Sequence, residues 1–307
     1  MTVELRAPRL EEAAAIARLA NRVSDELFGE AEETETTVRM WLTTPDLELD
    51  EDYRVALDQE GRLTGYADLG AHPDPKYWLD LRVPTSSSDE TREALIRWGE
   101  KRARERAGGQ ESALMRAFAY EPDEPEKRAL ERHGYELIRH SYRMRIDFDD
   151  DPPPPEWPEG VTVRPATEAD LETAYETQME TFEDSWEHSR EPYEEWSHWM
   201  VEEDLDLSLW FIAEGEGGVA GIALTKPHEA EQGLGWVGVL GVRRPWRRRG
   251  LGRALLLHVF QEYRSRGFHG VGLGVDAESL TGAVRLYENA GMRVFRRSDI
   301  YEKVLGR

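Results

Sequence analysis

The chain has 307 residues, which is enough for two domains of about 150 residues each. Acidic residues outnumber basic ones by 62 to 39, and a net charge of −23 makes nucleic acid and anionic membranes poor partners. Cysteine is absent, which excludes disulfides, thiolate metal sites and a cysteine nucleophile. The N-terminus lacks a secretory signal and no stretch approaches about 18 apolar residues, so a cytoplasmic protein is expected.

The hydrophobic pattern predicts the same order of elements in each half of the chain. In the first half the predicted strands are 3–6, 53–58, 63–70, 78–83, 113–119 and 135–147, and the predicted helices are 10–28, 89–107 and 124–133. In the second half the strands are 161–164, 209–214, 219–226, 235–242, 270–276 and 292–304, and the helices are 168–182, 192–203, 250–266 and 279–290. The fold class is therefore α/β, with a mixed central sheet flanked by helices in each half.

A proline-rich segment and an internal repeat divide the chain in two. Four consecutive prolines, Pro152–Pro155, cannot lie in a helix or a central strand, and they favour a stiff connector. Leu130–Tyr135 resembles Tyr287–Met292, 157 positions later, and three further anchors recur within two positions of that spacing. We therefore predict tandem domains at residues 1–150 and 161–307, joined by a linker at 151–160.

The strongest local signal lies between a strand and a helix, at residues 239–253. An apolar strand ends, six arginines follow between residues 243 and 253, and Gly250 and Gly252 open an amphipathic helix. The glycines let backbone N–H groups approach a ligand, and the helix N-terminus adds donors and partial positive charge. In a chain of net charge −23, such a loop predicts a site for a polyphosphate.

The pattern Arg247-x-x-Gly250-x-Gly252 after a β-strand resembles the pyrophosphate-binding signature of the Gcn5-related N-acetyltransferase (GNAT) family. The later run Leu286–Met292 is similar to that family's closing helix and strand. With the order of elements, the resemblance covers residues 161–304 and, more weakly, 3–147. It implies two tandem GNAT-like domains, with acetyl-CoA as the acyl donor and an amine as the acceptor. No metal is expected.

The resemblance also implies roles for individual residues. Backbone groups of Leu240 and Val242 pair with the pantetheine arm and the thioester oxygen. Tyr287 protonates the departing thiolate, which suits a phenol of pKa about 10. Where many members place an asparagine that bonds the cofactor, this chain has Ser279, which is either a shorter ligand or a helix N-cap. The pyrophosphate is cradled by Arg247, Arg248, Arg249, Gly250, Leu251, Gly252 and Arg253.

The general base that deprotonates the acceptor is not evident. Some members carry a carboxylate on the strand before the loop, but here the strand Trp236–Leu240 contains none. The candidates are Glu183, Asp184 and His188, which follow the first helix of the second half; a chain of water molecules is the alternative. Carboxylates and aromatic rings are frequent from Glu183 to residue 199, which favours a small, cationic acceptor, although an amphipathic helix gives the same pattern.

The first half lacks the features of the second. At an offset of 159 positions, the Arg-x-x-Gly-x-Gly pattern falls on Ser88, Thr91 and Glu93, in a segment with three carboxylates. At the corresponding offset of 157, Tyr287 falls on Leu130. Carboxylates repel a phosphate at short range. We therefore expect the first domain to be non-catalytic and the second to bind acetyl-CoA.

Other interpretations remain open. One is acetylation of an amino-sugar thiol precursor, because the mycothiol synthases share the tandem plan with the active half second. Another is a non-enzymatic acyl-CoA-binding sensor, which the missing strand carboxylate favours. Nucleic-acid binding is disfavoured by the charge. Apart from acetyl-CoA and a small-molecule or peptide amine, the expected partners include no nucleic acid and no membrane, and the chain is expected to be a monomer or a homodimer.

Overall fold

The computed structural model describes residues 3–306 except positions 32, 73, 74, 109, 111, 187, 202–204, 229–232 and 280. The chain folds into two compact units, Met1–His140 with Ser298–Arg307, and Ser141–Arg297. Both are mixed α/β units, as the sequence predicts, and they repeat one order of elements. Among the residues that the structure describes, no helix combines the length and apolar composition needed to cross a membrane.

The first unit contains the strands β1 (Glu4–Arg6), β2 (Tyr53–Leu57), β3 (Leu63–His72), β4 (Lys76–Arg82) and β5 (Ser112–Tyr120). Its helices are α1 (Ala13–Phe28), α2 (Glu35–Leu42), α3 (Asp89–Arg106) and α4 (Glu124–Arg132). The strands β4 and β5 run parallel, while the pairs before them are antiparallel. The helix α2 is absent from the predicted elements; it begins inside the acidic stretch 29–37, where Thr34 caps it by accepting from the Thr37 N–H.

The second unit contains the strands β7 (Thr162–Pro165), β8 (Phe211–Gly215), β9 (Gly218–His228), β10 (Leu234–Val242) and β11 (Gly270–Asp276). Its helices are α5 (Leu171–Phe182), α6 (Tyr193–Met200), α7 (Leu251–Ser265) and α8 (Ala283–Asn289). The strands β10 and β11 run parallel. One face of this sheet packs on α7 through residues such as Leu255 and Phe260, and the other on α5 and α6 through Met179 and Trp196.

The last strand of each half of the sequence joins the sheet of the unit that the other half mainly forms. The strand β6 (Glu136–Asp147) pairs its residues 141–147 with β11, and β12 (Arg293–Gly306) pairs its residues 298–306 with β5. The compact units therefore differ from the predicted domains 1–150 and 161–307 at these two strands. The segment 151–158, which follows β6 and precedes β7 in the chain, is neither helix nor strand, as its prolines require.

Candidate active site

The pairing of β10 with both neighbouring strands changes midway along the strand. Its antiparallel register with β9 shifts between Val237 and Val239, which is a β-bulge at Gly238. Its parallel register with β11 runs from Leu234 to Val237 and ends there. The backbone of β10 from the bulge to Val242 therefore lies beside a gap in the sheet, where it can hydrogen-bond an extended ligand.

The sheet is uncovered beside this gap. Gly238 on β10 and Gly274 on β11 are both exposed to solvent, although each lies on a central strand. The Trp236 ring lies along the glycines of β11, 2.9 Å from an ideal Cβ on Gly272 and 3.8 Å from one on Gly274. The methyl carbon of Met200, at the end of α6, is 3.9 Å from the corresponding point on Gly238. We call this exposed surface on the α5–α6 face of the sheet, bordered by Trp236 and Met200, the open pocket.

The arginine-rich loop connects β10 to α7 and has the geometry of an anion site. Gly250 has φ +87° and Arg248 φ +60°, both in the left-handed region that favours glycine. No side chain caps the N-terminus of α7, so its first N–H groups remain available to an anion. A Cβ at Gly252 would lie 3.2 Å from the Leu286 side chain of α8, so the glycine favours close packing of α7 against α8. These features fit the pyrophosphate of acetyl-CoA.

The loop arginines fall into two groups. Arg247 points into the protein: it donates to the carbonyl oxygens of Val242 (3.0 Å) and Thr181 (3.1 Å) and to the Asp184 carboxylate (2.7 Å). Arg243 and Arg244 also pair with acids at the end of α5 and beyond. Within the described part of the chain, the arginines of the loop and helix start that make no ion pair are Arg248, Arg249 and Arg253. These three are the side chains suited to a phosphate, whereas Arg247 braces the loop.

The structure places two of the three predicted bases, Asp184 and Glu183, beside arginines of the loop. Asp184 accepts from Arg244 (2.8 Å) and Arg247 (2.7 Å), and these hydrogen bonds lower its pKa to about 2. Glu183 lies 3.4 Å from the guanidinium of Arg244. A carboxylate held in this way has little affinity for a proton, so the geometry argues against Asp184 as a general base. His188 lies in the turn after α5, with its main-chain N–H bonded to Ser185.

Tyr287 lies on α8, against the core of the second unit. It is 9% exposed and packs in the apolar cluster beneath α7. Burial raises the pKa of Tyr287 to about 12, so the phenol is protonated at neutral pH. No described residue hydrogen-bonds its hydroxyl, which leaves the proton available to a ligand. Ser279 pairs with the Thr281 hydroxyl at 2.9 Å and is not the helix N-cap, because α8 begins after Gly282.

In the first unit, the loop between β4 and α3 corresponds to the arginine-rich loop, and side chains of the same unit hydrogen-bond its polar groups. Arg92 is fully buried and donates to the carbonyl oxygens of Val83 (3.0 Å) and Pro84 (2.6 Å). From the other side, the Glu26 carboxylate accepts from the Thr85 hydroxyl (2.7 Å) and from the N–H (3.1 Å) and hydroxyl (2.5 Å) of Ser86. An internal carboxylate therefore takes the donors that an anionic ligand needs.

The gap between strands is also filled in the first unit. The register of β3 with β4 is unbroken, so there is no bulge in this pair. The parallel register of β4 with β5 ends at Leu79, and beyond it the Arg82 guanidinium lies over the Phe118 ring of β5 at 5.5 Å and over Trp41 at 5.4 Å. Asp80 pairs with Arg82. Charged and aromatic side chains occupy the space that is open in the second unit.

Three features of the pocket were missed by the sequence analysis: Trp236 as its wall, and Gly238 and Gly274 as its floor. A signal was present, since a glycine inside an apolar strand often marks a bulge or a close approach. The strand Leu234–Val242 contains three glycines. The pattern does not distinguish Gly235 and Gly241, which pack against Tyr263 and Thr181, from Gly238, which faces the pocket.

Comparisons with known proteins agree with this geometry. The model of the acetyltransferase (GNAT) family matches residues 171–292. A mycothiol acetyltransferase of Thermobispora bispora is 37% identical over 175 residues, 55% of this chain and 59% of that protein, so the match spans less than two thirds of this relative. A mycothiol acetyltransferase of Acidothermus cellulolyticus is 30% identical over 270 residues, 80% of this chain and 77% of that protein.

A crystal structure of a GCN5-related N-acetyltransferase from Sphaerobacter thermophilus is 32% identical to the chain. It superimposes with a TM-score of 0.83 and covers 99% of this chain and 96% of that one. The likeness therefore extends over both units and not only over the matched family segment. Identity of 30% or more over most of both chains, on the same fold, shows that the protein belongs to the GNAT family of acetyltransferases, in its tandem-domain form.

Proposed function

We propose that the second unit transfers an acetyl group from acetyl-CoA to an amine, and that the first unit does not bind the donor. One observation carries this proposal: the bulged strand, the gap and the uncapped helix N-terminus occur together in the second unit. In the first unit, Arg82 covers the corresponding gap and Glu26 takes the donors of the corresponding loop. Each chain is therefore proposed to bind one molecule of acetyl-CoA.

The donor is proposed to lie along β10. The N–H groups at the start of α7, with Arg248, Arg249 and Arg253, bind the phosphates. Backbone groups of Leu240 and Val242 pair with the pantetheine arm in the gap beside β11. The thioester then lies at the bulge, and the acceptor amine approaches it from the open pocket over Gly238.

Two proton transfers complete the reaction. The amine must lose a proton before attack, and no side chain is assigned to this step because Asp184 is held as an ion pair of the loop. A chain of water molecules in the open pocket is proposed to carry that proton. The thiolate of CoA must gain a proton as it leaves, and Tyr287 is proposed to donate it, since its phenol is protonated and has no partner in the described part of the chain.

A second candidate is acetylation of the amino-sugar precursor of mycothiol. The observation that favours it is the pair of relatives named mycothiol acetyltransferase, one of which matches across both units. Among the described residues around Gly238 and Gly274, none distinguishes this acceptor from other amines, so the candidate differs from the proposal in its acceptor and not in its chemistry.

Release of CoA thiol tests the proposed activity. The full-length protein is mixed with acetyl-CoA and a panel of amino acids, polyamines, amino sugars and the amino-sugar precursor of mycothiol, and free thiol is titrated over time. Acetyl transfer predicts release that depends on one class of amine and on an intact loop. Tight binding of acetyl-CoA without amine-dependent release by any member would favour the sensor interpretation and count against the proposal.

A further inference from the structure

We propose that Trp246 is a positioning residue for the donor: its indole ring, seated against Gly215, holds the Arg249 guanidinium in place to bind a phosphate of acetyl-CoA. The inference rests on the proposed function, because it takes the arginine-rich loop as the donor site. Trp246 acts through Arg249 rather than through contact with the ligand. The phosphate belongs either to the pyrophosphate or to the 3′-phosphate of CoA, and a truncated donor separates the two.

The position of Trp246 is fixed by the fold around it. The residue ends the short helical turn Arg244–Trp246, and its N–H donates to the Arg243 carbonyl oxygen at 2.9 Å. Its ring packs against the apolar cluster beneath α7. An ideal Cβ on Gly215, the last residue of β8, would lie 2.3 Å from Cζ2 of the indole, and the two next nearest atoms belong to the same ring. A side chain at position 215 would therefore displace the ring, so the glycine provides its seat.

The Arg249 side chain lies over this ring. Its guanidinium carbon is 5.1 Å from the ring centre, which is within the range of a cation–π interaction. The side chain is exposed and, within the described part of the chain, makes no ion pair. An unsupported arginine loses rotamer entropy when it binds an anion, whereas stacking has already restricted these rotamers. Its planar edge of N–H groups stays available for two parallel hydrogen bonds to a phosphate.

Stacking distinguishes Arg249 from the other two arginines of the loop and helix start that make no ion pair. Arg248 and Arg253 lie over no aromatic ring among the described residues, so their guanidinium groups are less restricted. Arg249 also directly precedes Gly250, the N-cap of α7, where no side chain caps the first N–H groups. The guanidinium and the helix N-terminus can therefore act on one phosphorylated ligand.

The acids beside Gly215 in the chain do not neutralise this arginine. Glu214 contacts Arg164 of β7 at 3.0 Å. Glu216, the next residue of the turn between β8 and β9, is exposed, and neither it nor Arg249 forms an ion pair among the residues that the structure describes. The positive charge over the indole is therefore available to the donor.

A double-mutant cycle on acetyl-CoA binding tests this role in the full-length protein. Calorimetry without an acceptor gives the dissociation constant, so no turnover is needed. Trp246→Leu should raise this constant about two- to fivefold, the usual range for an exposed cation–π contact, and Trp246→Phe should raise it less because a ring remains. Arg249→Gln should raise it about tenfold. In the Arg249→Gln background Trp246→Leu should have no further effect, whereas a tryptophan that only stabilises the fold would weaken binding equally in both backgrounds.

Gly215→Ala reaches the same arginine without a change in the loop, and it carries the cycle if Trp246→Leu does not fold. The added methyl displaces the Trp246 ring, so binding should weaken as in Trp246→Leu, and only when Arg249 is present. Gly235→Ala is the matched control, because a Cβ there would lie 2.2 Å from the Tyr263 ring of the same unit. Both alanine variants should lower the melting temperature, but Gly235→Ala should leave the dissociation constant unchanged. Equal weakening in the two, or no weakening in Trp246→Leu and Gly215→Ala, would overturn the inference.

Truncated donors identify the phosphate. If the effect of Trp246→Leu persists with 3′-dephospho-acetyl-CoA, Arg249 binds the pyrophosphate, and if the effect disappears, Arg249 binds the 3′-phosphate. An equally large effect with acetyl-pantetheine, which carries no phosphate, would overturn the inference.

Turnover separates this inference from the proposed function. With an amine acceptor, Trp246→Leu should raise the KM for acetyl-CoA and leave kcat unchanged. Coupling of Trp246 and Arg249 in donor binding, without amine-dependent release of CoA, would support the positioning role and refute the acetyl transfer. Amine-dependent release without that coupling would support the transfer and refute the positioning role.

Discussion

The exchange of one hydroxyl for hydrogen at Tyr287 separates a catalytic role from a packing role. Tyr287→Phe keeps the ring, which is 9% exposed in the core, and removes a hydroxyl that no described residue hydrogen-bonds. The melting temperature and acetyl-CoA affinity should therefore be unchanged. Loss of a positioned acid lowers kcat by about 10²–10⁴-fold. Water can partly replace the phenol, so we expect a loss of about 10²-fold, equivalent to about 2.7 kcal/mol.

Tyr263→Phe is the matched control, since Tyr263 belongs to the same apolar cluster and is fully buried. Its hydroxyl donates to the Thr225 hydroxyl at 3.0 Å, so removing it costs about 1 kcal/mol and lowers the melting temperature by about 2–4 °C. Its kcat should not change. Steady-state CoA release and thermal unfolding are measured for both variants. We expect Tyr287→Phe to lower kcat but not the melting temperature, and Tyr263→Phe to lower the melting temperature but not kcat. An unaltered kcat in Tyr287→Phe on the best acceptor would show that the residue only packs.

The raised pKa of Tyr287 adds a pH prediction. Because burial moves the pKa from about 10 to about 12, the phenol remains a proton donor through the neutral and mildly alkaline range. The kcat profile should therefore show no ionisation of this group below about pH 11. The folded state favours the protonated phenol, so the shift reduces stability only above about pH 10, where the unfolded chain ionises. Loss of kcat with a midpoint near pH 10 would contradict this environment.

The other predictions concern the donor site. Calorimetry should find one acetyl-CoA per chain. Gly250→Glu should abolish this binding. Ser88→Glu, at the exposed residue before α3, should leave it unchanged. Asp184→Asn should weaken acetyl-CoA binding about two- to fivefold, as expected for an exposed ion pair that braces the loop. Because the pKa of Asp184 is about 2, its ion pairs should persist from neutral pH to about pH 4 and be lost toward pH 2. Glu26→Gln should lower the melting temperature and leave acetyl-CoA binding and kcat unchanged; a second bound acetyl-CoA in that variant would mean that Glu26 masks a working site.

We choose Ser88 for the control substitution in the first unit, because the residue that a constant sequence offset selects, Thr91, is unsuitable. At an offset of 159, Gly250 falls on Thr91, but Thr91 is buried and its methyl group packs against Gly65. A charged side chain there would unfold the first unit rather than report on binding. The offset fails because the loop before α7 is longer than the loop before α3: residues 243–250 separate β10 from α7, and 83–88 separate β4 from α3.

The sequence by itself determined the features that depend on local pattern. Period-2 and period-3.6 hydrophobicity placed the strands and helices, the prolines at 152–155 marked the connector, and the glycines at 250 and 252 marked the start of α7. The same local comparison showed that the first-half loop had lost its glycines and arginines. These conclusions need no knowledge of what lies across space, because a strand, a turn and a helix start are set mostly by their own residues.

Tertiary structure decided the features that depend on partners. The final strands of both halves have similar alternation, so only the pairing shows that 141–147 completes one sheet and 298–306 the other. From the sequence alone Asp184 is a candidate general base, but the structure shows that it forms ion pairs with Arg244 and Arg247. Trp236 has no distinguishing neighbours along the chain, and only the folded sheet places its ring beside Gly272 and Gly274 of β11. The pKa of a charge and the ligand it can bind follow from groups within a few ångströms, and strand pairing brings those groups from distant positions in the sequence.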